Sequence, residues 1–179
     1  MALTLLLGGA RSGKSDLAVR IGRTWSQPVT FVATATAGDP DMAARIARHR
    51  AERPASWTCI EEPLDIAGAL AECGDGGVIV DCLTVWVANL LDSGSPATTL
   101  AAAERVAAVA RSREAPTLAV SNEVGLGVHP SSVRGREFRD VLGRVNAIWA
   151  AAAEEALFLV AGRALALDPV GPLEGMAGA

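Results

Sequence analysis

The run Leu3-Thr4-Leu5-Leu6-Leu7 enters the pattern G-x-x-x-x-G-K-S, spelled by Gly8, Gly9, Ala10, Arg11, Ser12, Gly13, Lys14 and Ser15. No other feature restricts the fold so strongly. The apolar run reads as a buried strand, and Leu17, Ala18 and Ile21 behind it recur as on one helix face. Strand, glycine turn and helix in that order form a phosphate-binding loop. Gly8 and Gly13 let the backbone adopt conformations that a side chain would block. Successive N–H groups can then face phosphate oxygens, and the helix adds the positive end of its dipole. Lys14 would reach the outer phosphates and the Ser15 hydroxyl would hold Mg²⁺.

The competing reading is a tight turn that holds two glycines by coincidence. Residue usage favours function, because Lys14 is the one lysine among 16 basic residues. A chain that otherwise uses arginine for its cations places its single ammonium where a phosphate loop needs one.

The 179 residues suit one domain, expected over 1–168, with a flexible tail over 169–179. A net charge of −4 argues against a general nucleic-acid binder. Cys59, Cys73 and Cys82 lack metal-ligand spacing and fit a reducing, cytoplasmic setting. The short N-terminal apolar run gives no expectation of a signal peptide, and no stretch reads as a stable membrane insertion.

Along the chain, 16–25 reads as the helix after the loop, broken by Gln27-Pro28, and 29–33 as a second strand. Ala33, Thr34 and Ala35 fall at its C-terminal end, where open α/β sheets bind ligands, although a plain loop reads the same way. Asp39-Pro40 starts a helix over 41–52 that holds Arg45, Arg48, His49 and Arg50. A solvated basic face and an anion-facing surface both fit that run. His49 can share the apolar stripe of Met42 and Ile46 or sit with Arg45 on an electropositive rim, where a neutral imidazole is a competent nucleophile toward phosphorus.

An extended segment over 57–63 precedes a helix over 64–71, and 78–81 is an apolar strand ending in Asp81. That aspartate is placed to act on Mg²⁺ opposite Ser15. Helices are expected over 82–91, with Trp86 in the core or at a subunit contact, and over 98–113. The strand 117–121 ends at Asn122-Glu123-Val124-Gly125, without the Asn-Lys-x-Asp pattern of a GTP-switch protein. A loop with His129, a helix over 136–155 with the stripe Phe138, Val141, Leu142, Val145 and Ile148, and a hairpin over 156–160 and 164–167 complete the chain.

Several of these segments together resemble the bifunctional adenosylcobinamide kinase/adenosylcobinamide-phosphate guanylyltransferase family of cobalamin biosynthesis. They are the glycine loop, Phe31-Val-Ala-Thr34, the 41–49 helix ending in His49, Arg53-Pro54 with Trp57, Val80-Asp81-Cys82-Leu-Thr84, Ser121 to Gly127, Phe138-Arg-Asp140 and Gly143 to Asn146. The resemblance implies a P-loop NTPase, RecA-like and mostly parallel, with a C-terminal antiparallel hairpin. It implies phosphorylation of adenosylcobinamide with ATP or GTP, then transfer of GMP from GTP through a guanylylated histidine, which falls on His49. It implies nucleotide contacts at Gly8 to Ser15, at Ala33, Thr34 and Ala35, at Arg50, Ala51, Glu52 and Arg53, and at Glu61 and Asp81. Ser15 and Asp81 would serve Mg²⁺, the corrinoid would be the partner, and a homotrimer would be the assembly. Some relatives have serine at Ala35 and glutamate at Asp81. A monofunctional P-loop kinase and a RecA-type assembly module are the alternative readings.

Overall fold

The computed structural model describes residues 3–36, 43, 47, 50, 51 and 53–169. Four short apolar runs, Leu3–Gly8 (β1), Val29–Ala33 (β2), Gly77–Asp81 (β4) and Thr117–Val120 (β5), form the centre of a sheet and are buried almost throughout. Continuous apolar strands of this kind need cover on both faces, as a parallel sheet provides. Thr58–Glu61 (β3) and the pair Glu155–Val160 (β6) and Arg163–Ala166 (β7) extend it. The seven strands run β3-β2-β4-β5-β1-β6-β7. All neighbours are parallel except β6 and β7, which form the expected terminal hairpin. β5 therefore lies between β1, which feeds the glycine loop, and β4, which ends in Asp81.

The helices are Lys14–Gly22 (α1), Ile66–Glu72 (α2), Leu83–Ser93 (α3), Pro96–Ser112 (α4) and Val133–Ala152 (α5). Each differs from its sequence expectation by a turn or less, and capping explains most of the shifts. α2 starts at Ile66 because the Asp65 carboxylate accepts from the Gly68 N–H. α4 starts at Pro96 because Ser95 and Thr98 form a reciprocal capping box. α5 starts at Val133 because Ser132 accepts from the Gly135 N–H. Ala43, Ala47, Arg50 and Ala51 are helical; the rest of the 41–52 expectation, His49 and Glu52 included, lies outside the described residues, as do 170–179 of the tail.

One core packs α2 to α5 against the sheet, with Trp86 and Trp149 fully buried, so Trp86 is core. A smaller core on the opposite face joins α1 to Leu6, Phe31, Ile79, Leu118 and Val120.

Candidate active site

The loop between β1 and α1 takes the conformation that its glycines permit. Gly8 has φ +152°, Arg11 +57° and Gly13 +95°. A Cβ at Gly8 would stand 2.4 Å from the Leu159 carbonyl oxygen and 2.9 Å from Ser12 Oγ, so the turn and the close approach of β6 both need glycine. Two neighbours clamp the loop. The Gly162 N–H in the β6–β7 turn donates to the Ser12 carbonyl at 3.0 Å, and the Glu123 N–H donates to the Gly8 carbonyl at 3.0 Å.

Lys14 folds back over this loop and is only 6% exposed. Its Nζ donates to the carbonyls of Gly8 (2.9 Å) and Gly9 (2.7 Å) and to Ser12 Oγ (3.2 Å). Burying an ammonium is costly without such oxygens. Ser15 follows in the first turn of α1, whose N-cap Gly13 supplies no side chain. The first N–H groups of α1 thus point out of the helix without a side-chain acceptor from the N-cap residue.

Asp81 closes β4, with Ala33 and Val120 as its register partners. Its carboxylate accepts no hydrogen bond and forms no ion pair within the described residues. The β2 end is aligned to it through Thr34. Thr34 Oγ1 donates to the Cys82 carbonyl (2.7 Å) and accepts from the Cys82 N–H (2.9 Å) across the cis Asp81–Cys82 peptide. The Asn89 amide donates to the Thr34 carbonyl at 3.0 Å and to the Pro63 carbonyl at 3.1 Å. Thr34 is fully buried and its hydroxyl is committed to this brace, while Ala33 is buried and Ala35 half-buried. The Cys82 thiol is pushed up to about 11, first by burial and then by the neighbouring Asp81 carboxylate, and so stays neutral at physiological pH.

A cleft of about 450 Å³ opens over β2 and β3, lined by Phe31, Arg50, Ala51, Arg53, Trp57 and Cys59 among others. The Arg53 guanidinium lies 3.5 Å from the Phe31 ring centroid and donates to Cys59 Sγ at 3.3 Å. Arg50 reaches Glu61, at the C-terminal end of β3, at 3.8 Å. Of the basic 41–52 segment, the structure therefore brings Arg50 and Ala51 to the cleft, and His49 and Glu52 lie outside the described residues. His129, read as a loop residue, pairs through Nδ1 with Arg139 at 2.6 Å on the surface.

One buried network has no counterpart in the sequence expectations. Ser121 Oγ donates to Asn146 Oδ1 (2.6 Å), Asn146 Nδ2 donates to the Asn122 carbonyl (3.0 Å), and the Asn122 N–H donates to Thr84 Oγ1 (2.7 Å). The signal that could have found it is Asn146 itself, a polar residue in register with Leu142 and Trp149 on an otherwise apolar stripe.

Metal-ligand clusters of three or more His, Cys, Asp or Glu are absent among the described residues. The oxygens of Ser15 and Asp81 would suit Mg²⁺, which needs few protein ligands and is commonly held by one or two protein oxygens together with substrate phosphates and water.

Residues 4–167 match the family described as cobinamide kinase / cobinamide phosphate guanyltransferase. The chain is 44% identical over 162 residues to the bifunctional adenosylcobalamin biosynthesis protein CobP of Pseudomonas aeruginosa, covering 88% of this chain and 92% of that protein. It is 36% identical to CobU of Salmonella typhimurium, described in the same words, over 89% and 96% of the two chains. Among solved structures it resembles the KaiC-like protein PH0186 of Pyrococcus horikoshii (TM-score 0.50, 12% identity, 88% and 70% covered). It also resembles the RadB recombinase (TM-score 0.50, 19% identity, 88% and 73% covered). These two establish a RecA-like P-loop fold and nothing beyond it. The match across nearly the whole length shows that the chain belongs to the cobinamide kinase/cobinamide phosphate guanyltransferase family.

Proposed function

We propose that this chain phosphorylates adenosylcobinamide at the expense of ATP or GTP and then transfers GMP from GTP to the phosphorylated corrinoid through His49. The observation that carries the kinase half is Lys14, with its ammonium held at the loop mouth by three oxygens. A phosphate oxygen arriving there would replace one of these neutral acceptors with an anionic one, adding Coulomb attraction to a bond that the ammonium already assists. Gly8 to Ser15 would cradle the triphosphate. Bound Mg²⁺, held by Ser15 and Asp81 with the phosphates, would neutralise charge that develops on the transferring group. Ala33, Thr34 and Ala35 would contact the nucleotide from the β2 end, where the hydroxyl of Thr34 holds the Cys82 backbone in place.

The guanylyl half is supported by the cleft. Arg50, the residue after His49, lines it together with Ala51, Arg53, Phe31 and Trp57, so cations and aromatic faces stand together, as a nucleotide base and phosphates require. Glu52 and Glu61 complete the proposed contacts. The imidazole would attack the α-phosphorus of GTP, forming a P–N bond as the P–O bond to pyrophosphate breaks. The phosphorylated corrinoid would then displace it, restoring His49 and giving adenosylcobinamide-GDP. We also propose a homotrimer in the cytoplasm. The exposed Leu126 and Val128, in the loop after β5, and Val133, at the start of α5, are apolar surface that a subunit contact would cover, and three free cysteines suit a reducing compartment.

Intact-mass and peptide analysis after incubation with GTP and Mg²⁺ tests the two-step reading. One GMP should appear on the peptide bearing His49, acid-labile and base-stable, and disappear in His49→Ala. Corrinoid phosphorylation without any adduct would leave a monofunctional kinase.

A further inference from the structure

Resting on the phosphate-loop reading above, we propose that the Asn122 carboxamide contacts the terminal phosphate of the bound nucleoside triphosphate and positions it for transfer. Asn122 follows β5, the strand between the one that feeds the loop and the one that ends in Asp81. Parallel neighbours put all three C-terminal ends on the same edge of the sheet. The pairing of Leu6 with Val120, continued by two residues, brings Asn122 opposite Gly8. The Glu123 N–H bond to the Gly8 carbonyl confirms that continuation.

Side-chain direction follows from alternation. Leu118 and Val120 pack in the core on the α1 face, and Ala119 packs on the other. Ser121 bonds Asn146 of α5, again on the other face. Asn122 therefore projects toward the α1 face. Asp81 follows the same logic, since Ile79 lies on the α1 face and Val80 on the opposite one. The carboxamide thus stands on the side where the loop and Asp81 open.

The backbone of Asn122 is gripped at both ends, its N–H by Thr84 and its carbonyl by Asn146. The grip is built from buried polar side chains, with Ser121 0% and Asn146 5% exposed. Such a network is costly to bury unless fully bonded, and once bonded it fixes geometry. Yet the carboxamide that it positions makes no hydrogen bond within the described residues. A neutral amide suits a site that already concentrates phosphate charge, because its N–H₂ donates without adding a carboxylate's repulsion.

The test compares equilibrium affinities of the full chain for GDP and for a non-hydrolysable GTP analogue, with Mg²⁺, in Asn122→Ala, Asn122→Asp and Lys14→Ala. A hydrogen bond to a charged group corresponds to a factor of roughly ten to a hundred. Asn122→Ala should weaken the triphosphate by about that factor and leave GDP within about twofold, and Asn122→Asp should weaken it further. Equal weakening of both nucleotides, or no change in either, would overturn the proposal and mark Asn122 as part of the scaffold. Lys14→Ala should weaken triphosphate binding; if it does not, the phosphate-loop reading fails first, and this one with it.

Discussion

On one face of the sheet, α2, α3, α4 and α5 bury Trp86, Trp149, Leu70, Leu83 and Leu142 in a single core. On the other, among the described residues, α1 lays Ala18 with Leu17 and Ile21 over Leu6, Phe31, Ile79 and Leu118. The arginines divide the same way. Arg113 on the heavily covered side spends its guanidinium on the carbonyls of Leu70, Gly74 and Gly76 and on Thr117 Oγ1, tying the end of α2 to the sheet. Arg50 and Arg53 on the lighter side line an open cleft. The difference teaches that the heavily covered face carries most of the packing, which leaves the other free for the proposed chemistry. Four helices over-determine the sheet, so the other face can hold a buried ammonium, a glycine turn and an aspartate that has no hydrogen-bonding partner in the described chain. Such groups contribute little to folding.

The largest effect expected from this division is Lys14→Ala. Phosphoryl transfer depends on positioned charge, and loss of one such group commonly lowers turnover on the order of 10²- to 10³-fold. Corrinoid phosphorylation should fall by at least that factor while the melting temperature moves by only a few degrees, because the ammonium's hydrogen bonds to Gly8, Gly9 and Ser12 lie within the loop. A collapse in melting temperature of the same variant would break the comparison, since the loop would then be part of the framework.

The next effect belongs to the heavily covered face and compares its two buried indoles. Trp86 Nε1 donates to the Leu64 carbonyl at 2.8 Å, whereas Trp149 Nε1 is buried without a partner among the described residues. Trp86→Phe removes a made bond and should cost about 1–2 kcal/mol beyond the lost ring contacts. Trp149→Phe removes an unmade one, and relief of that donor should offset most of the lost packing. In thermal melts Trp86→Phe should therefore be the less stable of the two, by roughly 3–6 °C at this chain length. Both should keep full activity per folded molecule. The reverse order would mean that the Trp149 N–H is satisfied after all.

What could be read from residues alone follows the same division in part. Local signals dominate in the phosphate loop, and both its backbone and the burial of β1, β2, β4 and β5 agree with the apolar runs and glycine spacing. The hairpin at the end was legible from Gly162 between two apolar runs. Helix starts were less so, since Ser95 and Ser132 cap through side-chain geometry that competes with equally good polar residues nearby. The brace of Thr34 on Cys82 joins residues 48 positions apart, and Ser121 meets Asn146 across 25. No local periodicity carries such pairings. Only the strand order, with β5 inserted between β1 and β4, makes Asn122 a neighbour of Gly8.

The smallest effect concerns a glycine that the fold does not need. Gly143 lies inside α5, and a Cβ there would meet nothing within 4 Å. Glycine in a helix interior is less favourable than alanine by roughly 0.5–1 kcal/mol, because the unfolded chain has more freedom to lose. Gly143→Ala should raise the melting temperature by about 1–4 °C, the shift expected for that increment in a domain of this size, with both transfer activities unchanged. Gly8→Ala, by contrast, drives a methyl group to 2.4 Å from the Leu159 carbonyl at φ +152° and should disable nucleotide binding. If Gly143→Ala instead slowed transfer, the added rigidity of α5 would be reaching the site. The route is short, because Asn146 lies one turn further along the same helix and holds the Asn122 carbonyl. That result would show the heavily covered face to be more than a support.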